Sequence, residues 1–438
     1  MAIPRDAAPV LVALAAALVP AVSAWALWLW RWPDRGLRGG IALAALWNAT
    51  WLLPANLLAV QNGFWHYNVD APRLLALPMP LWFGWVVLWG VVAPLLPLRP
   101  AVVVGLVFLV DLVYMPLLEP VVELGPQWWL ADLVMVGVVA IPGLFLARST
   151  ASRTSLTTKV VLQVLLFGCL LVWVIPAVAA DLAGSDLRPW PPPTTWGAVT
   201  VALGLVALPG LTAVDEFRLA GGTPWPWDGT ARLVGSGPYR YVRSPMQLSG
   251  IGVLVIMAII HRLPIVLIAA VVSSLYGRLF CRLEEAELAR RFGTEWLSRQ
   301  AEIRRRLPSW RPSRTGETAV VWIDLGCQIC RPVADFLLER DPTELTVRDA
   351  AEHPKPLSRA RYERADGSVF DGVAAIGMTL EHLHLGWAMV GWLLRLPVLR
   401  SFWQLIGDAV GFGQRPVTGS TPAPPGTVGA PPDSTVGG

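Results

Sequence analysis

Two clusters in this 438-residue chain have the residue types and spacing to do chemistry. The first is the string Leu233–Met246, read Leu-Val-Gly-Ser-Gly-Pro-Tyr-Arg-Tyr-Val-Arg-Ser-Pro-Met, followed further on by Leu283-Glu284-Glu285 and Phe292-Gly293. Gly237, Tyr239, Arg240, Arg243 and Pro245 make a rigid, cationic, hydrogen-bonding lip beside an apolar run, and Glu284 and Glu285 come directly after another such run. Charges converging at a membrane surface are costly unless paired or used, so they mark a functional site. A ligand bearing both signs suits them. Arginine takes a carboxylate bidentately, glutamate takes an ammonium, and a sulfonium cation favours carboxylates and aromatic faces.

The second cluster is Cys327-Gln-Ile-Cys330, placed after a predicted strand and at the opening of a predicted helix. Helix N-terminal amides stabilise a thiolate, and the spacing lets either sulfur close a disulfide on the other, which points to redox work by Cys327 and Cys330. A zinc site needs four ligands. His382 and His384 stand two apart on a predicted helix and face different ways, so no metal is expected. Cys169 and Cys281 lie in or beside apolar segments and read as small buried hydrophobes. Gly235-Ser-Gly237 neither follows a strand nor opens a βαβ unit, which argues against a soluble nucleotide-binding fold.

Most of the elements that must position these groups are membrane spans. The chain is 54% hydrophobic and 15% charged, with a mean hydropathy of +0.53, whereas soluble domains carry about 25% charge. This excludes an ordinary soluble enzyme, a disordered chain and a disulfide scaffold. Runs long enough to approach a span occur nine times: Ala8–Trp30, Ile41–Val60, Leu77–Leu96, Ala101–Leu118, Trp128–Ala147, Val160–Ala180, Trp196–Val214, Leu248–Ile260 and Leu263–Phe280. The last two are short, flank His261-Arg262-Leu263-Pro264 and read as a tight helical hairpin. That hairpin returns Glu284 and Glu285 to the side that carries Arg240 and Arg243. Prolines inside the runs (Pro20, Pro54, Pro142, Pro176, Pro209) suggest kinks. Trp residues near span ends, with Trp65-His66-Tyr67, read as an interfacial belt.

Odd-numbered loops hold eleven basic residues and even-numbered loops three. By the positive-inside rule the N-terminus lies outside and the C-terminus in the cytoplasm. A cleaved signal peptide near Val22-Ser23-Ala24 is disfavoured because Asp6 neutralises Arg5. The net charge of +4 is carried mainly by arginine, with Lys159 and Lys355 the only lysines. That bias fits a GC-rich bacterial genome, and no basic, aromatic-interleaved face signals nucleic acid.

After Pro308 the composition changes. Ala319–Asp324 and Leu345–Arg348 read as strands and Cys330–Glu339 as a helix. Ala360–Arg364 and Ser368–Phe370 flank the turn Asp366-Gly367, and Val373–Leu385 and Ala388–Val410 read as helices. From Gly413 the Gly-, Pro-, Ser- and Thr-rich tail reads as disordered.

Gly237-Pro-Tyr-Arg-Tyr-Val-Arg243-x-Pro245, with Glu284-Glu285 and Phe292-Gly293, resembles the isoprenylcysteine carboxyl methyltransferase and phospholipid methyltransferase superfamily over about residues 159–308. The resemblance implies an integral-membrane enzyme that binds S-adenosylmethionine on the cytosolic side and methylates a lipid-like acceptor. It places Gly237, Tyr239, Arg240, Arg243, Pro245, Glu284 and Glu285 at the cofactor. The chain departs from that family at Ser244 and Gln247, where histidine and tyrosine are usual, and at Trp296. Asp324-Leu-Gly-Cys-Gln-Ile-Cys330 likewise resembles the DCC family of thiol–disulfide oxidoreductase-like proteins over about residues 318–411, with Leu325 in place of a glycine. That resemblance implies a thioredoxin-like fold and a protein thiol partner.

The expected architecture is therefore mainly α. A polytopic bundle of about nine spans comprises an N-terminal five-helix domain (1–150) and a methyltransferase-like domain (151–312). A small α/β thioredoxin-like domain (313–411) and a disordered tail (412–438) follow. The expected function is S-adenosylmethionine-dependent methyl transfer to a membrane lipid or lipid-like acceptor in a bacterial inner membrane. The alternatives are a tethered thiol–disulfide oxidoreductase on a silent scaffold, and a non-enzymatic membrane partner protein.

Overall fold

In a computed structural model the described residues are 7–412 apart from 70, 186, 188–190, 231, 305, 306 and 315. Also outside the description are the side chains of 7, 8, 276–284, 287, 295, 299, 398 and 412, together with the tail from 413. The chain divides into two compact units, Met1–Leu307 and Pro308–Gly438.

The first unit is helical. Its helices are α1 (Ala7–Arg31), α2 (Arg35–Gln61), α3 (Met79–Leu95), α4 (Pro100–Leu117), α5 (Trp128–Ser152), α6 (Leu156–Leu182), α7 (Trp196–Leu219), α8 (Pro245–His261) and α9 (Pro264–Glu302). Each apolar run of the sequence is helical over most of its length, while Leu77–Pro78 at the head of the third pairs antiparallel with Arg73–Leu74. Among the described residues six are long and apolar enough to cross a membrane: α1, α2, α4, α5, α6 and the helix ending at Leu219. The other three apolar stretches, Met79–Leu95, Pro245–His261 and Pro264–Leu275, are shorter.

Small residues let these helices approach closely, as membrane bundles require. A Cβ on Gly40 would stand 2.3 Å from the Ala147 carbonyl oxygen, and one on Gly143 would stand 2.4 Å from Asn48 Nδ2, so α2 and α5 pack nearly backbone to backbone. Of the prolines expected to kink, Pro142 and Pro176 each follow a π-helical turn, Val136–Ala140 and Leu170–Val174. Proline removes an N–H from the ladder, and widening the preceding turn accommodates the gap. Pro20, Pro54 and Pro209 stay inside continuous helices.

Trp65–Tyr67 (β1) pairs antiparallel with Val122–Leu124 (β2). Trp65 is buried there, and the Trp65 indole and Tyr67 hydroxyl both donate to Asn56 Oδ1, at 3.1 and 2.5 Å. The last apolar run continues into the charged stretch after it as α9, two helical segments joined by a kink at Gly293, whose φ of 53° and ψ of −125° are glycine's own territory. The hairpin before it closes tightly: Arg262 adopts a left-handed cap, Leu263 N–H donates to the Ala258 carbonyl at 3.0 Å, and Pro264 opens α9.

The second unit is α/β. Its elements are β3 (Ala319–Ile323), α10 (Arg331–Leu338), β4 (Leu345–Asp349), β5 (Arg361–Glu363), β6 (Val369–Asp371), α11 (Val373–Leu380), α12 (Leu385–Arg395) and α13 (Pro397–Gly407). The sheet order is β4-β3-β5-β6, with β3 parallel to β4 and the other two pairs antiparallel. The β-branched run of β3 is the buried central strand, packed with Ala334, Leu337, Ala375 and Met378. The long helix expected over Ala388–Val410 is broken at Leu396, because the residue before a proline is driven to extended backbone.

Candidate functional site

The lip sits between α7 and α8. Gly237 has φ +61° and starts a short 3-10 turn through Arg240. The Tyr241 and Val242 amides both donate to the Pro238 carbonyl and both side chains are buried, so the turn is a fixed part of the unit's interior. Pro245, also buried, occupies the first turn of α8, where a missing N–H costs nothing. Tyr239 packs its ring against Phe217 of α7, 5.8 Å between centroids. Arg240 is buried.

Arg243 is the hub. Its backbone N–H donates to the Arg304 carbonyl at 3.2 Å and its Nε to the Ile303 carbonyl at 2.7 Å, clasping the chain just beyond α9. Its Nη1 stands 3.3 Å from Glu285 Oε1, with side-chain exposures of 19% and 16%. The hairpin of α8 and α9 therefore brings Glu285 back to the arginine of the lip, 42 residues earlier in the chain. Glu284 precedes it on α9, and its side chain lies outside those described. At the positions that depart from the family pattern, Gln247 Nε2 donates to the Ser273 carbonyl at 3.4 Å, tying α8 to α9, and Trp296 is buried.

The structure adds participants that sequence reasoning missed. Glu216, buried near the end of α7, accepts from the Ser236 hydroxyl at the base of the lip. The loop between α7 and the lip is anchored by a buried ion pair, Lys159 Nζ to Asp228 Oδ2 at 2.5 Å, with side-chain exposures of 1% and 8%. Thr223 and Gln163 complete that cluster. The Arg291 guanidinium on α9 donates to the Thr230 carbonyl at 2.9 Å, and the Trp225 indole donates to the Gly39 carbonyl at 2.9 Å. Trp225 thus ties this loop to α2. The N-terminal helices, in which the sequence shows no chemistry, brace the loop that leads into the lip. The carboxylate run Asp215-Glu216 at the end of an apolar helix was the available signal for Glu216.

In the second unit Cys327 lies in the turn after β3 and Cys330 caps α10. Asp324 shapes the turn by accepting from Gly326 N–H at 3.0 Å. Leu325 is not left-handed, so this turn has no need of a glycine there. The Cys330 thiol, hydrogen-bonded to Cys327, holds the Cys327 thiol below the ordinary thiol range. The backbone N–H groups of Cys330 and Ile329 help, against partial burial and the Asp324 charge. His382 is held by Tyr362 and the Thr343 carbonyl, and His384 stacks on Trp310. Among the described residues no group of three or more His, Cys, Asp or Glu converges as a metal site.

The family model of the phospholipid methyltransferases matches residues 197–295, a stretch that begins in α7, contains the whole lip and ends on α9 beyond Glu285. That part of the chain is similar to membrane methyltransferases. No curated protein and no solved structure matches the chain.

Proposed function

We propose that the first unit is an integral-membrane methyltransferase that binds S-adenosylmethionine at the lip and acts on a lipid-like acceptor. The observation that carries this is the Arg243–Glu285 pair, joined by the hairpin inside the family-matched segment. The donor set fits the cofactor's amino-acid end. Among the described residues nothing accepts from Arg243 Nη2, which leaves a guanidinium edge for a carboxylate, and Glu285 supplies an anion for the ammonium. Until such a ligand arrives, each residue compensates the other's charge. The bound cofactor would supply an electrophilic methyl on a sulfonium. The protein's part is then positioning and exclusion of water: Arg243 and Glu285 orient the headgroup, and the buried Tyr241–Val242 turn fixes the floor. A carboxylate or thiolate acceptor needs no strong general base.

The proposed setting is a bacterial inner membrane, crossed nine times with the three shorter helices completing the set, the N-terminus outside and the C-terminal unit in the cytoplasm. The arginine-rich odd loops support this orientation. The test is labelled-methyl transfer from S-adenosylmethionine into a lipid extract by the purified protein. Label in a lipid fraction, lost in Glu285→Gln, supports the reading, and no transfer to any lipid fraction overturns it.

A second reading is favoured by the dithiol. We infer that the C-terminal unit is a thioredoxin-like thiol–disulfide module of the DCC kind, in which the Cys327 thiolate attacks a disulfide formed by the thiols of a partner protein and expels one of them. The strand order, its polarities and the Cys327–Cys330 hydrogen bond at the head of α10 support it. Trapping a mixed disulfide on Cys327 in Cys330→Ser tests it, and failure to trap any partner counts against it.

A further inference from the structure

A cleft of about 260 Å³ opens beside the dithiol, close to the roughly 300 Å³ at which small-molecule sites begin. Cys327 and Cys330 form part of its lining, and Val373, Ile376, Trp403 and Ile406 give it hydrocarbon walls. The wall from α13 is pinned in place: Gln404 Oε1 accepts from Val373 N–H at 3.0 Å, and Gln404 Nε2 donates to Asp408 Oδ1 at 2.7 Å. Among the described residues the one cation lining this cleft, Arg359, is paired with Asp408 at 2.7 Å, and Asp324 adds a negative charge near the sulfurs. An anionic, hydrophilic thiol compound would therefore find neither a free cation nor polar walls here. A hydrocarbon group would find apolar walls beside the two thiols.

Building on the thiol–disulfide reading of this module, we propose that the Cys327–Cys330 dithiol reduces a disulfide borne on a small apolar molecule, whose hydrocarbon part occupies the cleft between α11 and α13. The Cys327 thiolate attacks one substrate sulfur, forming a mixed disulfide and expelling a thiolate that takes a proton from water. Cys330 gives its proton to water and attacks the Cys327 sulfur. This closes the Cys327–Cys330 bond and expels the second substrate thiolate, which is protonated in turn. Two electrons pass from the dithiol to the substrate disulfide, and one apolar disulfide becomes two thiols.

The experiment uses the full chain in detergent, reduced and freed of reductant, with two aliphatic probes of similar leaving-group chemistry, dibutyl disulfide and 2-hydroxyethyl disulfide. Closure of the Cys327–Cys330 bond is followed in a single turnover, and each rate is divided by that of a small dithiol in the same detergent. The expected preference for the butyl probe is on the order of tenfold, the effect of burying a couple of methylene groups. Excess dibutyl sulfide, which fills the same space and cannot be reduced, slows the butyl probe alone, and Ile406→Asp abolishes the preference, read as the ratio of the two normalised rates within that variant. Equal normalised rates, or a preference untouched by both dibutyl sulfide and Ile406→Asp, overturn the apolar-substrate inference and leave the redox reading standing. Closure with neither probe overturns the redox reading itself, and this inference with it.

Discussion

The Lys159–Asp228 pair gives the sharpest quantitative expectation. Lys159 is one of two lysines in the chain, and its ammonium is buried against Asp228 at 2.5 Å. Replacing it with methionine leaves the Asp228 carboxylate buried with, among the described residues, only the weak Thr223 hydroxyl contact at 3.3 Å. Removing one partner of a buried pair costs about 3–5 kcal/mol, whereas removing both charges is far milder. At about 2 °C per kcal/mol for a large unit, Lys159→Met lowers the melting temperature by roughly 6–10 °C. The double variant Lys159→Met/Asp228→Asn recovers more than half of the loss. Tryptophan fluorescence during heating in detergent reads both, since Trp225 sits on the same loop. A single variant within a degree of the parent, or a double variant no better than the single, would refute the claim that this pair anchors the loop.

Two further outcomes follow from packing and thiol chemistry. Gly40→Val places new carbons against the backbone of Ala147 and should cost at least about 1–3 kcal/mol, seen as lost folded protein on gel filtration. Gly105→Ala on the exposed face of α4 meets nothing within 4 Å and should leave the profile unchanged. For Cys327, whose folded-state value is lowered, thiolate is present at a pH where an ordinary thiol, at about 8.5, is still protonated. Its alkylation rate should therefore reach half-maximum below that pH, and Cys330→Ala should move the midpoint upward by removing the leading cause of the shift. An unmoved midpoint would show that the hydrogen bond does not hold the thiolate.

The sequence showed what short-range chemistry controls. Apolar runs became helices, β-branched Ala319–Ile323 became the central strand, and Asp366-Gly367 became the turn between β5 and β6. The approach of Arg243 to Glu285 was also legible, because two short apolar runs around Arg262-Leu263-Pro264 can only return the chain to its starting side. Contacts made across large separations were not legible. Nothing local ties Lys159 to Asp228, and the acceptor of the Trp225 indole, the Gly39 carbonyl, is far back in the chain. The continuation of the last apolar run as far as the Gly293 kink was hidden by the change of character from apolar to charged, which defeats a reading based on hydropathy. The apolar cleft beside the dithiol depends on how α13 folds back after Pro397, and no local pattern encodes that return.

The grip of Arg243 and Glu285 on a zwitterionic ligand is read by binding of S-adenosylmethionine to the whole chain in detergent, compared with Arg243→Ala and Glu285→Gln. If the pair grips the two charged ends of the ligand, the parent binds, and each variant binds about 10–100-fold more weakly, the cost of one lost charged hydrogen bond. A parent that does not bind, or variants that bind as tightly as the parent, would contradict the account.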